Sequence, residues 1–134
     1  MSAAAIPAES IDVKALEEAT RAVAVMFLPG DVVELRVPKA GRNRTISGYF
    51  NEATALIEAI REMDGKGPGV YVTLNPVKPE LLARASNRVK PFAETTTSDA
   101  DILLRRWLLV DCDPVRPAGI SSSRQELEAA LDVA

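Results

Sequence analysis

Four apolar residues run directly into two carboxylates and a proline in the stretch Arg105-Arg106-Trp107-Leu108-Leu109-Val110-Asp111-Cys112-Asp113-Pro114. An unbroken apolar run of this kind reads as a buried strand, and the proline, which has no backbone N–H, stops it. Side chains alternate along a strand, so Asp111 and Asp113 share one face and Cys112 points to the other, as a small buried residue behind it. The two carboxylates then lie roughly 6.5–7 Å apart at a strand end, a spacing that suits two hard divalent cations held roughly 3.5–4 Å apart. An acidic pair leaving a buried strand is also ordinary turn chemistry, and Asp before Pro opens turns. The pair alone does not decide between the two.

The rest of the chain must supply the sheet into which such a strand fits. Residues 1–9 read as a flexible tail and residues 10–134 as one domain. The first helix spans residues 10–27, with Ser10 or Asp12 as its cap and Leu16, Ala19, Val23, Met26 and Phe27 along one face. Pro29-Gly30 ends it, and a strand, Val32–Val37, follows. Lys39–Arg44 is a basic, glycine-containing loop, and Thr45–Phe50 closes a hairpin. Asn51 stands where it would cap a helix running to Met63. Val70–Leu74 reads as a third strand, and Pro79–Ala85 as a short helix with proline in its first turn. Residues 86–101 have no periodicity, apart from Ser98-Asp99-Ala100-Asp101, which has the look of a capped helical turn. After the aspartate strand, Ser123-Arg124-Gln125-Glu126 has the spacing of a capping box ahead of a last helix. The expected class is therefore α/β (α+β), a mixed sheet with helices packed on it, in the order αββαβ(α)βα.

Composition narrows the chemistry. There is no histidine, which removes histidine-ligated zinc and every triad or dyad built on imidazole. The single cysteine excludes an internal disulfide and fits a reducing cytoplasm. No apolar run is long enough to cross a membrane, so no membrane partner is expected. The net charge of −3 and the aromatic content of 4% argue against an unspecialised polyanion binder with a row of stacking rings. Local basic clusters remain: Arg42 and Arg44 on the hairpin tip, Arg84, Arg88 and Lys90 after the third strand, and Arg105, Arg106 and Arg116 around the aspartates. Basic residues for phosphate beside an acidic metal centre are what nucleotidyl transfer requires. Asn75 is a further candidate substrate contact, although Asn before Pro is common in turns.

Four runs taken together point further: Gly48-Tyr49-Phe50, Val70–Pro76, Thr96–Asp101 and Arg106–Pro117. In this combination the chain resembles the N-terminal primase-polymerase module of phage and plasmid replication proteins, within the archaeo-eukaryotic primase superfamily. The resemblance covers about residues 15–133, and its most specific part is Thr96–Gly119. It implies a primase-like catalytic fold and template-directed nucleotidyl transfer from nucleoside triphosphates on a DNA template, with Mg²⁺ or Mn²⁺ as cofactor. It also implies Asp111 and Asp113 as catalytic metal ligands. Partners would be a helicase domain or another replication protein.

Two parts of that family pattern are missing. Its Ser-x-His motif has no counterpart in a chain without histidine, and nothing after Ala134 supplies its later acidic motif. The expectation is thus an incomplete module, an N-terminal portion that does not polymerise alone. Its sheet edge, left unpaired, would favour dimerisation or aggregation. The alternative is a non-catalytic domain that keeps the fold and binds nucleic acid or a partner; a plain α/β domain with an acidic strand end is the third reading.

Overall fold

A computed structural model describes residues 12–133; the expected tail and Ser10 lie outside the described residues. Helix α1 spans Val13–Met26, strand β1 Val33–Ala40, β2 Arg44–Phe50, helix α2 Ala53–Met63, β3 Tyr71–Val72, β4 Arg88–Lys90 and helix α3 Arg124–Leu131. Short 3₁₀ helices occupy Gly41–Asn43, Pro79–Arg84 and Asp99–Asp101.

The strand sequence Val33-Glu34-Leu35-Arg36-Val37 alternates apolar and charged residues, so one face of β1 is written for a core and the other is not. The sheet order is β3-β1-β2-β4, and every ladder between these strands is antiparallel. The α+β class is as expected, but the mixed sheet is not. The reason is the position of β1. The crossover β2-α2-β3 joins two parallel strands, yet β1 lies between them, so neither meets the other. Helices α1 and α2 cover one face. There Val33, Leu35, Val37, Ile46 and Phe50 pack against Val23, Leu56 and Ala59. No helix among the described residues is long and apolar enough to cross a membrane.

A second, smaller core lies on the other face, built from Val32, Tyr49, Val77 and Leu81 with Leu82 and Ile102 beside them. Val77 holds it together through bridges to both Val32 and Ile102.

Several caps follow the sequence. Asp12 accepts from the Lys14 amide at 3.0 Å, and Ser123 and Glu126 form the expected capping box. Ser98 and Asp101 form another. Asn51 does not cap α2. Glu52 takes the cap position without a side-chain bond, and the capping is done by Asn87. Its Oδ1 accepts from the Asn51 and Glu52 amides, and its Nδ2 donates to Asn51 Oδ1. Asn87 has a positive φ of 51°, a conformation asparagine tolerates better than most residues.

The main departure is at residues 103–114, which belong to no strand, helix or turn. The expected aspartate strand is absent. The amides of Arg106 and Trp107, adjacent in sequence, both donate to Asn75 Oδ1. Successive amides in a strand point to opposite edges, so this arrangement interrupts any ladder. The neighbouring edge, β3, is only two residues long and offers no template.

Candidate nucleic-acid interface

The face of the sheet opposite the helices carries the polar chemistry. Glu34 is its centre, 1% exposed although charged. Arg36 donates to both of its oxygens, with Nη2 to Oε2 at 2.8 Å and Nε to Oε1 at 3.3 Å. Ser47 donates to Oε1 at 2.6 Å, and the Thr97 amide to Oε2 at 3.0 Å. Burial alone would raise this carboxyl's pKa. The hydrogen bonds from Arg36, Ser47 and Thr97 outweigh burial and hold it below the ordinary glutamate value. The group is therefore an ionised structural anchor, with its acceptor positions already taken.

Beside it, Tyr49 Oη meets Thr97 Oγ1 at 3.2 Å and accepts from Arg84 Nη1 at 3.2 Å. The Arg84 guanidinium also lies 5.8 Å from the centre of the Tyr49 ring. Val89 packs into the helix-side core, so its neighbours Arg88 and Lys90 project to the opposite face. A cavity of about 150 Å³ here is lined by Ser47, Tyr49, Arg84, Lys90, Glu94 and Thr95 among others. Arg84, Arg88 and Lys90 form no ion pair with a carboxylate of the described residues, whose three ion pairs are elsewhere. Tyr71 projects an exposed ring over the adjoining surface, next to Arg36 and Thr97.

The other candidates are dispersed. Arg42 is exposed on the hairpin tip with φ of 62°, and Arg44 lies over the Phe92 ring at 4.7 Å. Arg44 Nε is buried with no hydrogen-bond partner among the described residues. Arg106 pairs with Asp31 at 2.6 Å, which lowers the Asp31 pKa. Asn75 is a structural clamp on residues 106 and 107. Arg105 and Arg116 are exposed.

Asp111 and Asp113 are exposed on the irregular segment, and Cys112 is half-buried instead of lying behind a strand. Among the described residues, no three acidic or cysteine side chains gather into a metal-ligating group. Two carboxylates on an open segment do not make the donor set of a two-cation centre, which draws on more oxygen ligands than these.

The Glu34 network was not apparent from the sequence. The alternation in β1 shows that Glu34 opposes the core face, but not that residues 93–102 fold over it. The Tyr49–Arg84 contact, across 35 positions, left no local signal either.

No protein-family model matches this chain, and no curated protein or solved structure shows significant similarity to it.

Proposed function

We propose that the chain is the nucleic-acid-engaging part of a primase-polymerase-type replication module and does not polymerise by itself. The runs Gly48-Tyr49-Phe50, Val70–Pro76 and Thr96–Gly119 are what suggest that lineage. The observation that carries nucleic-acid binding is the sheet face opposite α1 and α2, where Arg84, Arg88 and Lys90 form no ion pair with a carboxylate of the described residues. Phosphates are the fitting ligand for such cations, and the exposed Tyr71 ring on the same side of the sheet adds a surface on which a base can stack. A DNA strand is the expected partner, in a cytoplasmic setting where the lone Cys112 stays reduced.

Fluorescence anisotropy with a labelled single-stranded oligonucleotide tests the reading. The logarithm of the affinity should fall linearly with the logarithm of salt concentration. Each of Arg88→Ala and Lys90→Ala should reduce the slope by roughly 0.7, the value for one single-strand phosphate contact. An unchanged slope in the double variant, or no binding at roughly 50 mM salt, overturns it. Separately, template-directed product formed with Mn²⁺ and nucleotides, and abolished by Asp111→Ala, would overturn the non-catalytic part.

A further inference from the structure

Among the described residues, nothing covers the apolar run on the irregular segment. Leu108 is 87% exposed, Leu109 76% and Val110 65%. Alternation puts Leu108 and Val110 on one side and Leu109 on the other, so both sides of the segment are apolar and open. From Leu108 to Asp113 no backbone group bonds to another described residue. An unpaired backbone flanked by bare leucines is a template for strand addition.

We infer that residues 108–110 pair antiparallel with the same residues of a second copy of this chain. The sequence around them is self-complementary in that direction only. With Leu109 facing its own copy, Leu108 faces Val110 on either side, and the basic end of the run meets the acidic end of its partner. Arg105, exposed and without an ion pair among the described residues, comes alongside the copy's Asp113. Parallel pairing would instead set arginines against arginines and aspartates against aspartates, which is repulsive. The antiparallel arrangement is two-fold symmetric, so the contact closes on itself as a dimer. A cleft of about 620 Å³ between Asp111–Asp113 and α3, with Ala129, Ala130 and Val133 on its apolar side, lies next to the pairing site and has room for the incoming side chains.

The inference is independent of nucleic-acid binding, and so is its test. Sedimentation equilibrium of the full chain should show a monomer–dimer equilibrium. Leu109→Lys should weaken it on the order of tenfold or more while leaving the circular dichroism spectrum unchanged, since Leu109 is not part of either core. Facing residues in an antiparallel pair lie within disulfide reach, at Cα separations of roughly 4.5–5.5 Å. Leu109→Cys in a Cys112→Ser background should therefore form a disulfide-linked dimer on mild oxidation. Val115→Cys in the same background should not. A monomer at all concentrations, a dimer insensitive to Leu109→Lys, or equal cross-linking at both positions overturns the inference.

Discussion

Asn75 holds Trp107 by both of its backbone polar groups: Oδ1 accepts from the Trp107 amide at 2.8 Å, and Nδ2 donates to the Trp107 carbonyl at 3.0 Å. The same Oδ1 also takes the Arg106 amide. One side chain thereby fixes the point at which the chain leaves the second core, and the Trp107 indole reinforces it by donating to the Met26 carbonyl at 2.9 Å. Asn75→Ala should release all three bonds and destabilise the fold by about 1–3 kcal/mol. Urea unfolding measures the loss. The Trp107 emission should also shift to the red as the indole leaves its site.

Glu34 and Asp31 are two of the carboxyls that shape the response to acid. Both carboxyls titrate below their ordinary values, 4.5 and 3.8, in the folded chain. A lowered folded-state pKa contributes stability that is full above the unfolded value and lost as pH falls through the folded one. Stability should therefore be level near neutrality and decline once pH drops below about 4.5. Glu34→Gln should flatten part of that decline and cost about 2–4 kcal/mol at neutral pH, toward the lower end because Arg36 is partly exposed to water. Thermal melts across the acid range distinguish the two curves.

Gly48 faces the Arg88 carbonyl across the β2–β4 ladder so closely that a Cβ would collide with it, and the Phe50 ring lies 3.0 Å from the same position. The backbone carbonyl cannot rotate away as a side chain can. Gly48→Ala should strip β4 from the sheet or shift it, at a cost of about 2–4 kcal/mol. Hydrogen exchange at the β4 amides should rise more than at β1.

Asn87 caps a helix that begins 34 positions before the loop in which it lies, counted from Ala53. Asn87→Ala should cost about 0.5–2 kcal/mol from the lost cap, with an added penalty because alanine resists the positive φ. Asn87→Gly loses the same bonds but keeps the backbone conformation available, so it should lie between alanine and the natural residue in denaturation midpoint.

The sequence was readable where structure is local. Hydrophobic period and caps placed α1, α2, α3 and the hairpin, because those signals lie within a few residues of the elements they shape. The capped turn at Ser98–Asp101 was legible for the same reason. What failed depended on partners distant in the chain. Trp107–Val110 has strand composition, but composition cannot supply a neighbouring edge, and Asn75 bends the segment away from regular pairing. Asn51 had the right chemistry for a cap, yet a second asparagine 36 positions later took the role. Of the site candidates, Arg88 and Lys90 reach the sheet face with the unsuspected Glu34 network. Arg106 and Asn75 are engaged within the fold, and Asp111 and Asp113 lie outside the sheet.

The Glu34 network has a consequence for how the chain is made. Its ligands arrive at positions 36, 47 and 97, so a nascent polypeptide that has emerged only as far as Phe50 has the hairpin but lacks the Thr97 amide that completes the charge's shell. Until then, water must satisfy Glu34 and the sheet face stays wet. Closure of that face is thus tied to synthesis of the second half of the domain, and the hairpin waits on the ribosome for a partner more than 60 residues downstream.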